Sequence, residues 1–186
     1  MNDEVRKALN TVQKGGIILY PTDTIWGIGC DATNDEAVRK IFKIKDRADT
    51  RQMLILIDKA DNISKYVRNV PDIAFNFIES AQRPLSIIFQ NAWNLAPSLI
   101  GHDNTIGIRV VQDDFCKELI GELGKPIVST SANISGKPPP TGFINIDPQI
   151  KESVDHIVSL RQDEVVKSGP SDIIKFEKDG EIVKIR

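Results

Sequence analysis

The clearest signal in this chain lies in residues 126–141, which read PIVSTSANISGKPPPT. The segment begins with the apolar residues 126–128 and continues with hydroxyl and amide side chains, followed by Gly136 and the prolines 138–140. Ser, Thr and Asn side chains compete with regular structure because they hydrogen-bond to nearby backbone groups. The pattern predicts a buried strand that ends in a loop lined with hydroxyl and amide groups, although an isolated match would be read as a surface turn.

Two other segments change the interpretation of this loop. The first follows an apolar strand pattern at Ile17 to Tyr20 and reads YPTDTIWGIG from Tyr20 to Gly29. The second is basic and contains Lys43, Lys45, Arg47 and Arg51. Hydroxyl and amide groups hold phosphate or carboxylate oxygens, and Arg binds both through parallel hydrogen bonds. The three segments therefore favour a site for an anionic ligand, with a solvated basic helix end as the alternative.

Helix and strand patterns alternate along the chain. Helix patterns cover residues 5–12, 35–42, 71–78, 114–123 and 148–154. Strand patterns cover residues 17–20, 53–57, 85–89, 105–111, 126–128, 156–160, 172–176 and 181–184. This alternation predicts an α/β protein built around a central sheet.

Composition limits the class of protein. The chain has 186 residues, 40% hydrophobic and 27% charged, which predicts a single globular domain over residues 1–186. The formal net charge of −2 argues against extensive nucleic-acid coating but permits a local basic groove. We predict a cytoplasmic protein without membrane contact, because no apolar run is long enough for a bilayer and no signal peptide is evident. Cys30 and Cys116 are predicted to be reduced and partly buried.

Read in order, these motifs resemble the YrdC-like family of threonylcarbamoyl-AMP synthases. The residues that carry the resemblance are Tyr20 to Thr24, Lys45 and Arg47, Thr105 with Gly107 and Arg109, Ser131 and Asn133, Pro170-Ser171, and Ile185-Arg186. The resemblance extends from about Gly15 to Arg186. It implies a YrdC-like fold: a twisted, open mixed sheet with flanking helices and a concave, locally basic ligand groove.

The resemblance also implies an activity. The family joins L-threonine, bicarbonate and ATP into threonylcarbamoyl-AMP and pyrophosphate, for the N6-threonylcarbamoyladenosine modification of tRNA. Mg²⁺ is expected to arrive with ATP rather than on protein ligands, and no organic cofactor is expected. The product is expected to pass to a tRNA threonylcarbamoyl transferase complex, with weak tRNA or double-stranded RNA contact.

Residue roles follow from the same resemblance. The implied catalytic residues are Lys45 and Arg47. The implied ATP contacts are Lys45, Arg47, Arg51, Thr105, Ser131, Asn133, Thr141 and Arg186. The implied threonine contacts are Thr24, Arg109, Ser129 and Ser171. From the residues alone, Arg109 either reaches a charged ligand or snorkels to solvent, and Arg186 is either a ligand contact or a plain terminal charge.

The chain departs from the family pattern at several positions. Trp26 stands where the family usually has Tyr, and Arg51-Gln52-Met53 stands where Lys-Pro-Leu is common. Leu56 replaces a His, which is expected to weaken the threonine site. Ala81 to Pro84 replaces a Trp-Pro-Gly-Pro turn. These changes leave the amino-acid preference open.

Two alternatives remain. A non-catalytic RNA-binding module would use the same basic groove, but aromatic residues make up only 6% of the chain and only Phe42 lies near the basic pair. A carbamoyl-adenylating domain of hydrogenase maturation is normally part of a much longer chain. Nucleotide-binding loops of the GxxxxGK[ST] and GxGxxG types and the HExxH zinc motif are missing from the sequence.

Overall fold

A computed structural model describes residues 3–45, 53–165, 169–177 and 180–186. Within these ranges a central sheet is flanked by helices. The strands are β1 (Ile18–Tyr20), β2 (Gly27–Gly29), β3 (Leu54–Ile57), β4 (Leu85–Phe89), β5 (Ile106–Val110), β6 (Ile127–Ser131), β7 (His156–Ile157), β8 (Asp172–Phe176) and β9 (Ile182–Lys184). The α-helices are α1 (Asp3–Gln13), α2 (Asp35–Ile44), α3 (Ile73–Ser80), α4 (Asp114–Leu123) and α5 (Pro148–Ser153).

The strands form one mixed sheet in the order β7-β1-β2-β6-β3-β5-β4-β8-β9 within the described residues. The pairs β1–β7, β3–β5 and β4–β8 are parallel, and the other neighbouring pairs are antiparallel. The two edge strands, β7 and β9, do not pair with each other, so the sheet is open. The expected mixed open sheet with flanking helices is confirmed.

The two faces of the sheet are covered differently. One face packs in the larger hydrophobic core with α2 and α3, and Ile28, Ile55 and Ile108 belong to this core. On the other face, Tyr20 and Leu56 pack beneath α1 and α4 in a second cluster. Because side chains alternate along a strand, polar residues of β5 and β6 share this second face. These polar residues are Arg109 of β5 and Ser129 and Ser131 of β6.

Two segments predicted as loops are strands. Ser129, Thr130 and Ser131 continue β6, because Ser129 pairs with β3 and the next two residues pair with β2. Likewise, residues 27–29 form β2 rather than the end of a polar loop. Pairing on both sides satisfies the backbone groups and so overrides the local preference of Ser and Thr for irregular structure.

Most other elements agree with the predictions. The bounds of α4 and β8 match residue for residue, whereas β7 covers only two of the five predicted residues. Short 3₁₀ helices at Ala60–Lys65, Pro97–Leu99 and Phe143–Asn145 were not predicted. Among the described helices, none combines the length and apolar character needed to cross a membrane.

Both cysteines are unpaired, and they are completely buried rather than partly buried as predicted. Burial is the main cause that raises the pKa of the Cys30 thiol and of the Cys116 thiol. Both side chains are therefore neutral packing groups at physiological pH.

The glycine at position 29 makes room for an aromatic ring. A Cβ atom there would lie 2.4 Å from the Val128 carbonyl oxygen and 2.8 Å from Cε1 of Tyr20. The Tyr20 hydroxyl donates a hydrogen bond to the same carbonyl, 3.1 Å away. Gly29 thus permits close contact among β1, β2 and β6, which bring the polar segments of the chain together.

We expect Gly29→Ala to lower the free energy of unfolding by about 2 kcal/mol or more, because backbone atoms of β6 cannot yield to the added methyl group. Gly121→Ala is the matched control, since a Cβ at this position in α4 meets nothing within 4 Å. The control should raise the free energy of unfolding by roughly 0.5–1 kcal/mol through helix propensity. Urea denaturation followed by circular dichroism measures both, and equal effects would contradict the packing argument.

Candidate functional site

A cavity of about 680 Å³ opens on the second face of the sheet. This volume lies within the range that small-molecule and cofactor sites occupy. Eight of the predicted site residues line the cavity: Thr24, Lys45, Arg109, Ser129, Ser131, Asn133, Ser171 and Arg186. The structure therefore brings together residues from the first, second and last thirds of the chain.

Strand pairing explains how these residues meet. β6 lies between β2 and β3, and its Ser129 and Ser131 are in register with Leu54 and Gly27, respectively. β5 lies on the other side of β3 and contributes Arg109. Neighbours on one face of a sheet are close even when they are distant in sequence. The cavity is thus built on rigid strands rather than on loops alone.

Lys45 is buried at the C-terminal end of α2, with only 2% of its surface exposed. Its Nζ donates hydrogen bonds to the backbone carbonyls of Ser131 and Asn133, the second at 2.8 Å. The Oδ1 atom of Asn133 lies 3.5 Å from the same nitrogen. A buried ammonium group needs such oxygen partners. The alternative of a solvated helix end is therefore wrong for Lys45.

Asn133 is itself held by the loop that follows it. Its Nδ2 donates to the carbonyls of Ile134 and Lys137, at 3.2 and 2.6 Å. The other two predicted cations of this part of the site, Arg47 and Arg51, lie outside the described residues, and their roles stay predictions.

Arg109 is 3% exposed and forms an ion pair with Asp23, at 3.1 Å between Nη2 and Oδ1. The other oxygen of Asp23 accepts a hydrogen bond from the backbone nitrogen of Gln112, at 3.1 Å. Asp23 therefore orients the guanidinium that lines the cavity. The alternative in which Arg109 snorkels to solvent is wrong. On the same strand, Gly107 leaves room for the neighbouring strand, because an added Cβ would lie 3.2 Å from the Cβ of Leu54.

The loop before β2 is organised around one hydroxyl group. Thr22 Oγ1 donates to the carbonyl of Ile25 at 2.8 Å and accepts from the backbone nitrogen of Thr24 at 3.0 Å. The hydroxyl of Thr24 lies 2.9 Å from the same oxygen. Thr24 is almost completely buried yet lines the cavity, so this turn fixes its position.

Ser171 has a partner that the sequence did not reveal. Its hydroxyl lies 2.9 Å from the hydroxyl of Ser86, and both side chains are buried. Ser86 is in register with Arg109 on β5, so it lies on the same face. At the same wall, Nε of Arg186 donates to the carbonyl of Ser171 at 3.0 Å. Arg186 is therefore tied to the site rather than being only a terminal charge.

Two predicted ATP contacts do not line the cavity. Thr105 is fully buried just before β5, where its hydroxyl donates to Asp103 at 2.6 Å. It lies four residues from Arg109, roughly 13 Å along an extended strand. Thr141 is exposed, and its hydroxyl lies 3.0 Å from Oδ1 of Asn145. The cavity gives no support to these two assignments, which stay predictions.

The departures from the family pattern have different consequences. Trp26 lines the cavity and packs on Phe143, with ring centroids 5.0 Å apart. Leu56 does not line the cavity, because it is completely buried beneath α1 and α4. The effect of the Leu56 substitution on the threonine site stays a prediction. The apolar wall also includes Ile25, Met53, Leu54, Pro139, Pro170 and Ile173, of which only Pro170 belongs to the residues that carry the resemblance.

The charge of the cavity is positive among the described residues. Lys45, Arg109 and Arg186 line it, whereas no Asp or Glu from the described ranges does. A groove of one sign concentrates ligands of the opposite sign. The fold and the site thus define an α/β protein with a cavity for a small anionic ligand.

Comparison with known proteins gives the family. A family model named Sua5/YciO/YrdC, with the description "telomere recombination", matches residues 10–186. A protein of Methanocaldococcus jannaschii is 34% identical over 192 residues, covering all of this chain and 88% of that protein. The threonylcarbamoyl-AMP synthase of Pseudoalteromonas translucida is 31% identical over 163 residues, which are 85% of this chain and 87% of that enzyme. The chain belongs to the Sua5/YciO/YrdC family.

A solved structure confirms the fold. The crystal structure of P. abyssi Sua5 complexed with L-threonine matches all of this chain with a TM-score of 0.87 and 23% sequence identity. The chain spans about half of that longer protein, 55% of its length.

Proposed function

We propose that this protein is an L-threonylcarbamoyladenylate synthase, which forms threonylcarbamoyl-AMP and pyrophosphate from L-threonine, bicarbonate and ATP. The observation that carries the proposal is the cavity, which joins the buried Arg109 and Thr24 to the buried Lys45 and the polar end of β6. Arg109 and Thr24 suit an amino acid, whereas Lys45 and the polar end of β6 suit a phosphate group. The names of its relatives support the activity and do not favour the RNA-binding alternative.

The amino-acid end has the groups that threonine requires. Arg109 is oriented by Asp23, and within the described residues its Nε has no hydrogen-bond partner. A guanidinium with free donor capacity in a buried wall suits a carboxylate. Thr24, Ser129 and Ser171 line the same cavity, and hydroxyl groups, which both donate and accept hydrogen bonds, suit the amine and hydroxyl groups of the substrate. The L-threonine bound to P. abyssi Sua5 supports this assignment.

The phosphate end supplies positive charge where the reaction develops negative charge. Carbon dioxide from bicarbonate joins the threonine amine to give a carbamate. A carbamate oxygen forms a bond to the α-phosphorus of ATP, and the bond to pyrophosphate breaks. Lys45, assisted by Arg47 and Arg51, would stabilise the phosphoryl oxygens, with Ser131 and Asn133 orienting them. No covalent nucleophile on the protein is required.

Mg²⁺ fits this scheme as an ion carried by ATP. It prefers oxygen ligands and usually keeps several waters alongside substrate phosphates. The hydroxyl and amide oxygens of Ser131 and Asn133 are suitable neighbours for such an ion. When bound, it would neutralise phosphate charge. In this proposal the protein works in the cytoplasm, and its product passes to a tRNA threonylcarbamoyl transferase complex with weak tRNA contact.

The test is pyrophosphate release from ATP in the presence of bicarbonate, comparing L-threonine, L-serine and no amino acid. The Lys45→Ala/Arg47→Ala double variant is the control. We expect release that depends on threonine and is lost in the variant. Tight ATP binding without amino-acid-dependent turnover would contradict the proposal.

A further inference from the structure

Arg161 has an unusual backbone conformation for a large side chain. Its φ angle is +56°, in the left-handed region where glycine is favoured. A bulky residue remains in such a conformation only when its surroundings hold it there. The contacts of its side chain therefore indicate what holds Arg161 in this conformation.

The Arg161 side chain contacts both the start of α4 and the loop that carries Thr24. Its Nη2 forms an ion pair with Oδ2 of Asp113 at 2.6 Å, and its Nη1 lies 3.4 Å from the carbonyl of Thr22. Asp113 is the N-cap of α4, and its other oxygen accepts from the backbone nitrogen of Cys116 at 2.9 Å. The guanidinium thus bridges the start of α4 and the loop that presents Thr24 to the cavity.

The segment that carries Arg161 is itself anchored. The backbone nitrogen of Ser159 donates to the buried carboxylate of Glu4 at 2.7 Å. That of Val158 donates to the carbonyl of Leu19 at 2.9 Å, and that of Glu164 donates to the Arg161 carbonyl at 3.3 Å. These hydrogen bonds fix the backbone before and after Arg161, so the position of its Cα atom is well defined.

We propose that Arg161 is a positioning residue, which holds the loop from Pro21 to Thr24 in place and thereby sets the affinity for the amino-acid substrate. This inference rests on the proposed function for the identity of that substrate. The loop carries Thr24 and Asp23, the residue that orients Arg109. Losing the contact between Arg161 and the Thr22 carbonyl therefore displaces Thr24 and Arg109 at the amino-acid end of the cavity. It leaves Lys45 in place.

The test uses the full chain with Arg161→Gly, Arg161→Lys and Asp113→Asn. Glycine suits the left-handed backbone, but Arg161→Gly also leaves the Asp113 carboxylate without its cationic partner, so a melting curve is recorded for each variant and every assay is run well below its midpoint. Asp113→Asn keeps the oxygen that caps α4 and removes the charge. Arg39→Ala is the control, since Arg39 has an exposed ion pair with Asp35 on α2.

We expect Arg161→Gly to raise the KM for threonine about tenfold, as for loss of a charge-assisted contact, and the KM for ATP less than about twofold. Asp113→Asn should also raise the KM for threonine. The double variant Arg161→Gly/Asp113→Asn should have nearly the same KM for threonine as Arg161→Gly, because both changes break the same ion pair. Arg161→Lys should recover part of the loss. Hydrogen exchange in the peptide covering residues 19–26 should be faster in Arg161→Gly and unchanged in Arg39→Ala.

Unchanged exchange in that peptide overturns the proposal whatever the enzyme does. In an active enzyme, an unchanged KM for threonine, or equal rises for threonine and ATP, overturns it as well. If the wild-type protein shows no threonine-dependent release, the proposed function fails, and hydrogen exchange alone still decides whether Arg161 holds the loop.

Discussion

In the pyrophosphate-release assay, we expect Lys45→Met to lower threonine-dependent turnover by about 100-fold or more. Removing one preorganised group that stabilises developing charge typically costs this much. Methionine keeps an unbranched side chain of similar length, so the buried space at the end of α2 stays filled. The charge and its hydrogen bonds to the carbonyls of Ser131 and Asn133 are lost.

The control is Lys43→Met, two residues earlier in the last turn of α2. Lys43 is exposed and does not line the cavity, whereas Lys45 is buried and does. Both variants lose one positive charge from the same helix end, so a general electrostatic effect changes both alike. The control should retain turnover within about twofold of the wild type, as expected for surface substitutions.

Folding and catalysis must be separated in Lys45→Met, because the substitution leaves carbonyl oxygens without a donor. A melting curve gives the stability, and the assay is run well below the midpoint. If turnover stays above about a tenth of the wild-type value, another residue supplies the positive charge that stabilises the phosphate. Arg47 and Arg51, the other predicted cations of this segment, would then be the residues to change.

Some of the fold was predictable because the signals are local. Asp113 accepts a hydrogen bond from the nitrogen of Cys116, and Gly124 adopts a left-handed φ of 67° just after the last turn of α4. Both types of residue are common at those positions of a helix, so the sequence predicts both ends. The β-branched and aromatic residues Ile173, Ile174 and Phe176 likewise predict β8.

The strand character of Ser129 to Ser131 and of Gly27 to Gly29 was not predictable in this way. The two glycines have low strand propensity and the two serines favour local hydrogen bonds, so these segments become strands through their pairing partners. Pairing joins segments about 100 residues apart, as Gly27 with Ser131 shows. Local sequence patterns do not identify such a distant pairing strand.

The site likewise has features that local sequence patterns predict and features that depend on distant contacts. Motif order pointed to the residues that line the cavity, but their arrangement depends on distant contacts. The ammonium of Lys45 bonds to a carbonyl 86 residues away, and the hydroxyl of Ser86 meets that of Ser171 across 85 residues. Asp residues in polar loops commonly cap turns, and only the structure shows that Asp23 orients Arg109.

The ion pair between Arg109 and Asp23 gives the second large effect. Arg109→Met should lower the free energy of unfolding by roughly 3–5 kcal/mol, because it leaves the Asp23 carboxylate buried without its cationic partner. The side chains are 4% and 11% exposed, so water cannot replace the lost charge. Threonine binding should be lost in the same variant, since the carboxylate of the substrate also loses its partner.

The double variant Arg109→Met/Asp23→Asn separates the two consequences. Asparagine keeps an oxygen that can accept from the nitrogen of Gln112 and removes the uncompensated charge. Much of the stability should therefore return, while threonine binding should not, because the guanidinium is still missing. Urea denaturation measures the first effect and calorimetric titration with L-threonine the second. If stability and binding recover together, Arg109 acts on threonine only through the fold, and its assignment as a substrate contact is wrong. If neither Arg109→Met nor the double variant loses threonine binding, the amino-acid end of the cavity lies elsewhere.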